Sequence, residues 1–236
     1  MHIVLRLLLY SHSYCLTPSL SLAKTTHRGG VARAGTGVLE WVKATLASRS
    51  AAVGASDAAD APTVQHDVTV FDPIEVFGPG GALESSGAHL SSPHFFFAKG
   101  SAPPAMEAMA AAIKAADAYI IVTAEYNHAP PPALLAMLDH FGGSNFNAKP
   151  SGIITYSPSP WGGARGAITL QPILHELGAL PVSAMVHLPG CGDLFAEDGT
   201  PSDPAHRMLN QLPKMLTQLE WMALAMKTQR DAIGTW

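Results

Sequence analysis

The stretch Ala118-Tyr-Ile-Ile-Val-Thr-Ala-Glu-Tyr-Asn-His-Ala-Pro-Pro-Pro-Ala-Leu134 joins two unlike halves. Its first six residues are apolar on both sides of a two-residue repeat, as in a strand buried on both faces of a parallel sheet. Its last residues open a helical pattern behind three prolines, a residue tolerated in a first helical turn. Between the halves stand a carboxylate, a phenol, an amide and an imidazole, Glu125 to His128. A plain turn would join strand to helix equally well. A cluster of polar groups there predicts that something is held at the end of the strand.

Working outward, four more apolar runs alternate with helical patterns. Strands are expected over 3–10, 67–72, 118–123, 151–157 and 183–188. Val38, Trp41, Val42 and Leu46 recur at i, i+3, i+4 and i+8, which is one face of a helix. Met106, Met109, Ala110 and Ile113 give a second helix and 133–141 a third. The fourth, 164–177, contains Pro172, which predicts a kink. Met208, Leu212, Met215, Leu219, Met222 and Met226 give a long fifth, whose methionine stripe reads as core or as a subunit contact. Strand–helix alternation repeated in this way predicts an α/β sheet with helices on both faces. Right-handed crossovers leave few topologies. Ligands of such sheets sit beyond the carboxyl ends of the strands, at the switch in strand order.

Composition narrows the function. The 236 residues are 47% hydrophobic, enough for one sizeable core, and 1–236 is read as a single domain. Charged residues make up 14% and the net charge is −4, without the basic face of a nucleic-acid binder. Cys15 and Cys191 form no disulfide framework, and the 11 histidines show no HExxH or paired Cys/His spacing, so no metal site is expected. No apolar run approaches the ~18–20 residues of a membrane span. Residues 1–10 read either as a short signal segment, with Ser21-Leu-Ala23 as its cleavage site, or as a first strand. Residues 51–64 read as a surface loop. Residues 77–104 form a long Gly/Ser/Pro-rich loop whose Phe95-Phe-Phe97 either packs over a pocket or anchors the loop.

Three segments carry candidate chemistry. The first is 124–132. The second is Ser157-Pro-Ser-Pro-Trp-Gly-Gly-Ala-Arg-Gly166, where a glycine pair lets the backbone approach a planar ligand and a helix start offers N–H groups to electron-rich atoms. The third, Thr25-Thr-His-Arg-Gly-Gly30, offers hydroxyls, an arginine and glycines before a helix, a reasonable phosphate cradle. Each residue also has a plainer reading. Glu125 can be a helix cap, Tyr126 packing, Asn127 a turn former, His128 a loop histidine, and Gly162-Gly163 a tight turn. Arg165, in a first helical turn, is poorly placed for the helix dipole and suits a ligand or subunit contact better. Cys191 reads as inert. The joint occurrence of two such clusters at successive strand ends favours a ligand site.

Residues 116–134 resemble the segment ADAIVIVTPEYNHSIPGAL of the NADPH-dependent FMN reductase family, the flavodoxin-like quinone, azo-dye and chromate reductases. Ser157 to Gly166 resembles the family's SxGxxGGxR loop, and His175-Glu-Leu-Gly178 the helix end that follows. The resemblance is dense from about 115 to 190, weak before 50 and nearly absent from 50 to 105. It implies a flavodoxin-like three-layer sandwich with a five-stranded parallel sheet in the order 2-1-3-4-5 and bound FMN. By that resemblance Ala124, Glu125, Tyr126 and Asn127 flank the isoalloxazine, while Ser157, Gly162 and Gly163 close its other edge and Trp161 covers it. Thr25, Thr26 and Arg28 take the phosphate, with Arg33 as an alternative. The activity implied is hydride transfer from NADPH or NADH through FMN to a flavin, quinone or similar small-molecule acceptor. No catalytic acid or base is assigned, since the cofactor carries the chemistry. A homodimer or homotetramer, with the apolar face of 208–226 as contact, and a cytoplasmic location are expected.

The family pattern breaks near the start. There the first strand runs straight into LGSxR, whereas here 11–24 intervenes and the Gly-Ser is missing. Arg6 falls in what should be the central strand, where an unpaired charge is costly. Removal of a signal at Ala23 would take that strand away, which favours the strand reading. The break also supplies a rival: a degenerate flavodoxin-like module that no longer holds FMN and acts by binding a partner.

Overall fold

The computed structural model of the chain describes residues 3–12, 34–49, 51–52, 63–86 and 92–236. In order these form β1 (Ile3–His12), α1 (Ala34–Ser48), β2 (Ala51–Ala52), β3 (Thr63–Phe71), α2 (Pro73–Phe77), α3 (Pro104–Ala115) and β4 (Ala118–Ala124). Then come α4 (Pro132–Asp139), α5 (Gly143–Phe146), β5 (Lys149–Ser157), α6 (Ala164–Glu176), β6 (Ala179–Pro181), β7 (Val186–Pro189), α7 (Cys191–Leu194) and α8 (Gln211–Ile233).

The sheet runs β2-β3-β1-β4-β5-β6, with β7 also paired to β5. Every pairing is parallel except that of the two-residue β2 with β3. Residues 3–10 therefore belong to a strand between β3 and β4, in register from Leu7 opposite Ala118 to His12 opposite Thr123. Arg6 has Asp67 of β3 as its register partner.

The sheet has seven strands where five apolar runs were expected. One extra is β2, at the start of the expected loop 51–64. The other is β6, which precedes the expected strand 183–188; that strand is β7, which starts only at Val186. β6 pairs with the start of β5, at Lys149 to Ser151, and β7 with its end, at Ile154 to Ser157. Between them the chain leaves the sheet. The Ala184 N–H donates to Gln218 Oε1 of α8 at 2.8 Å and the Ser183 hydroxyl to the same oxygen at 3.1 Å, which replaces ladder bonds to β5. Pro181, lacking an N–H, sits on the edge segment, where proline is tolerated.

β4 and β5 are buried along their whole length. Alternate residues feed two cores. Ala118, Ile120, Val122 and Ala124 pack with α1 and α8, and Tyr119 and Ile121 with α3, α4 and α6. The stripe of α8 faces inward. Leu212, Met215, Leu216, Leu219 and Ala223 are buried against the sheet, and Met208 and Met222 pack at the rim of the same core. Most of that face is thus core within the chain, one of the two readings of the stripe. Glu220, also buried on α8, pairs with Arg49 at 2.6 Å and with His66 of β3 at 3.0 Å, tying α8 to the end of α1 and to the sheet.

α6 continues through Pro172 to Glu176 and ends at Gly178, whose φ of 73° is the left-handed stop a glycine accepts. A Cβ on Gly178 would lie 2.8 Å from the Asn147 backbone, so the close approach needs glycine as well. In the long loop, Phe95 and Phe96 are exposed while Phe97 packs onto the α3–α4 core.

Candidate functional site

β4 and β5 end side by side, with Ala124 opposite Tyr156, so Glu125 and Ser157 leave the sheet together. After β4 the chain makes a two-residue hairpin. Tyr126 and Ala129 exchange backbone bonds of 2.8 and 3.0 Å, and between them Asn127 and His128 have φ of 51° and 66°. Two successive positive φ values define a type I′ turn, which asparagine accepts more readily than most residues. The turn leaves Asn127 and His128 exposed, while Tyr126 packs partly against the core shared with α1 and α8. Asn127 is thus a turn former whose side chain is still available, and Tyr126 contributes packing.

Glu125 points across to the next loop. Its Oε2 accepts from the backbone N–H of Arg165 at 3.1 Å and of Gly166 at 3.0 Å. Its Oε1 accepts from Arg165 Nε at 3.1 Å and lies 2.9 Å from a terminal guanidinium nitrogen. The residue before α6 is Gly163, which has no side chain to cap the helix. The carboxylate therefore supplies the missing acceptors for a first turn and sits at the positive end of the dipole. Its side chain is only 5% exposed, so these bonds are charge-assisted and shielded. Glu125 is a helix cap for a helix 40 residues away; what it leaves free at the strand end is backbone. Arg165 makes the ion pair and lies 6.0 Å from the Trp161 ring, an arrangement that favours the cation over the ring face.

The loop after β5 closes on itself through Ser159 N–H to Ser157 Oγ at 3.2 Å, Gly162 N–H to Ser159 O at 3.2 Å and Ala164 N–H to Trp161 O at 3.1 Å. Gly162 and Gly163 have φ of 59° and 84°. A Cβ on Gly162 would meet the Leu188 backbone nitrogen at 2.8 Å, and one on Gly163 the Thr155 Cβ at 2.8 Å. Both glycines are required by conformation and by contact. Trp161 stands out of the loop with 64% of its surface exposed.

Two residues beneath this loop had no place in the sequence reading. Thr155 Oγ1 lies 2.9 Å from the Gly162 carbonyl and 2.7 Å from His187 Nδ1, His187 being its cross-strand neighbour on β7. Burial lowers the His187 pKa, and the nearby Glu125 carboxylate opposes that shift. The available signal was a polar pair at matching positions of two strands otherwise lined with apolar residues.

The structure thus brings Ala124, Glu125, Ser157, Trp161, Gly162 and Gly163 to one edge of the sheet, with Tyr126 and Asn127 on the adjoining hairpin. Thr25, Thr26, Arg28 and the alternative Arg33 lie outside the described residues, as does Cys15. Cys191 is buried at the start of α7. Among the described residues no three His, Cys, Asp or Glu side chains gather as metal ligands, and no helix is long and apolar enough to cross a membrane.

The same α/β fold with a parallel sheet occurs in several solved structures. An oxidoreductase from Corynebacterium diphtheriae superposes with a TM-score of 0.56 at 14% identity, covering 94% of this chain and 98% of that one. FerB, a flavoenzyme NAD(P)H:(acceptor) oxidoreductase from Paracoccus denitrificans, gives 0.56 at 15% identity over 91% and 97%. The apo form of the NADH:FMN oxidoreductase EMOB gives 0.54 at 17% identity over 94% and 89%. No curated protein sequence matches the chain. The family model described as NADPH-dependent FMN reductase matches residues 31–192, and the chain belongs to that family. Membership carries FMN and NAD(P)H as the family's cofactor and reductant. The match begins beyond β1 and beyond Thr25, Thr26 and Arg28.

The residues at the strand ends fit the edge of a flat ring. The Gly163 N–H has no acceptor among the described residues, and Trp161, two residues before it, is exposed.

Proposed function

We propose that the chain holds one FMN between the hairpin after β4 and the glycine loop after β5, and transfers a hydride from NAD(P)H to a flavin, quinone or similar two-electron acceptor. The observation that carries this reading is the Glu125 carboxylate bonded to the first turn of α6. It ties the end of β4 to the start of α6 and takes up the Arg165 and Gly166 N–H groups, while the Gly163 N–H stays without an acceptor among the described residues. In this reading the backbone of Ala124 and Glu125, the side chain of Asn127 and the rim of Tyr126 lie along one ring edge. Ser157, Gly162 and Gly163 line the other, Trp161 covers a face, and Thr25, Thr26 and Arg28 receive the phosphate. When bound, FMN supplies the hydride chemistry. The protein's part is to orient the ring, exclude water and offer N–H groups to electron-rich atoms.

The reading extends to the whole chain as one domain, 1–236. Taking β6 and β7 as one interrupted strand and setting β2 aside gives the order 2-1-3-4-5. The exposed apolar side chains Phe95, Phe96, Trp161 and Ile168 support a homodimer or homotetramer; a cytoplasmic setting is proposed with it. The acceptor is a small molecule.

FMN titration followed by quenching of flavin fluorescence tests the reading, on this chain and on one with 11–24 replaced by Gly-Ser. Uptake of one FMN per chain is expected for both. A chain that stays colourless in excess FMN overturns the reading and leaves the binding module.

A further inference from the structure

Thr155 has one hydroxyl proton and two polar neighbours close enough to need one. The Gly162 carbonyl, at 2.9 Å, can only accept. His187 Nδ1, at 2.7 Å, can donate or accept according to tautomer. If Thr155 donated to His187, two oxygens would face each other at 2.9 Å with no hydrogen between them. The arrangement closes in one way: Nδ1–H of His187 donates to Thr155 Oγ1, and Thr155 donates to Gly162. The Val186 carbonyl, 3.5 Å from the hydroxyl, is too distant to compete.

The consequence lies one peptide further on. A trans peptide points its C=O and N–H in opposite directions, and the structure has no cis bond among the described residues. With the Gly162 carbonyl drawn down onto Thr155, the Gly163 N–H must point away from the sheet. That N–H has no acceptor among the described residues. Positive φ at both glycines leaves the intervening peptide otherwise free to turn over, since glycine populates either sign of φ readily.

We propose that His187 is the positioning residue of the glycine loop: through Thr155 it pins the Gly162 carbonyl and so aims the Gly163 N–H at the edge of the bound ligand. The ligand half of this inference rests on the flavin reading above; the hydrogen-bond half does not. His187 acts from β7 through Thr155, its cross-strand neighbour. Its Nε2 has no partner among the described residues, so Nδ1 alone carries the linkage. Glu125, the charged group acting on it, is itself occupied by Arg165 and α6.

Nitrogen NMR of the 15N-histidine-labelled chain without ligand tests the wiring directly, with the His187 signals assigned by their loss in His187→Asn. At about pH 7.5 a histidine of lowered pKa is neutral, and the expected spectrum has Nδ1 protonated and Nε2 bare. The opposite tautomer overturns the proposal. FMN titration of variants tests the consequence. Asn places an amide N–H near the position of Nδ1, and His187→Asn is expected to bind FMN like the parent. His187→Leu and Thr155→Val should each weaken binding about tenfold, one hydrogen bond's worth, and the double variant no further. Equal loss in His187→Asn and His187→Leu, or parental affinity in His187→Leu, contradicts the positioning role. A parent chain that takes up no FMN overturns the flavin reading instead, and the nitrogen spectrum then decides the wiring alone.

Discussion

The Glu125 carboxylate and the Gly166 backbone N–H, 3.0 Å apart and 41 residues apart in sequence, are the bond by which the end of β4 holds the start of α6. Gly166 allows the approach, since a Cβ there would lie 3.3 Å from Glu125 Cβ. Loss of this carboxylate leaves first-turn donors of α6 without acceptors. Glu125→Ala should destabilise the fold by about 1–2 kcal/mol, the range for a helix cap. Arg165 is 40% exposed and rehydrates, so its own loss adds little. Glu125→Gln, keeping one acceptor, should cost about half as much. Urea unfolding measures both, and FMN affinity should fall in parallel because the two loop ends are no longer joined.

Gly162 and Gly190 have nearly the same φ, 59° and 61°, in different surroundings. Gly190 has open space where a Cβ would go, whereas Gly162 faces the Leu188 nitrogen at 2.8 Å. Gly190→Ala should therefore cost only the left-handed penalty, about 1–2 kcal/mol. Gly162→Ala adds a backbone clash worth a further ~1–3 kcal/mol and should abolish flavin uptake. Thermal melts of the pair separate conformation from contact.

Glu220 gives the fold an acid limit. Burial would raise its pKa, but the bonds from His66 and Arg49 outweigh burial and hold it below its ordinary 4.5. A carboxyl depressed in the folded state adds stability above its unfolded pKa, and that stability is lost as pH falls through the folded value. Stability should thus decline below about pH 4.5. Glu220→Gln should cost about 3 kcal/mol at neutral pH, because it strands a buried His66 and a mostly buried Arg49. The gap between the two proteins should narrow in acid, as denaturant midpoints across pH would record.

Trp161 separates binding from folding. With 64% of its surface exposed it contributes little to the core, so Trp161→Ala should change stability by less than ~0.5 kcal/mol. If Trp161 covers the flavin as proposed, its loss should cost about 0.5–1.5 kcal/mol of binding, a two- to tenfold rise in FMN dissociation constant. Flavin fluorescence titration beside a melt of the same variant shows whether the two effects part.

What could be read from sequence was whatever local pattern dictates. The doubly apolar run at 118–123 is β4, and the glycines and prolines around 157–166 mark the loop before α6, because strand burial and positive φ leave compositional traces. Contacts between distant residues leave none. The late start of β7, at Val186 rather than Ser183, goes with Gln218, 34 residues on from Ala184, capturing its N–H. Glu125 looked like a ring ligand or a local cap, and became the cap of α6, the fourth element after β4. His187 and Thr155 were invisible because each alone is an ordinary strand residue; only β5–β7 pairing makes them one device. The methionines of α8 were recognised as an apolar face, but sequence could not say whether core or partner would cover it.

In the proposed reading, two loop ends joined by Glu125 hold a flavin that NAD(P)H can reach. Anaerobic addition of NADPH to the FMN-loaded chain, followed by flavin absorbance, tests it most directly. Stoichiometric NADPH or NADH is expected to bleach the bound flavin, and an added quinone to restore its colour. Bound flavin that keeps its colour with both nucleotides in excess would contradict it.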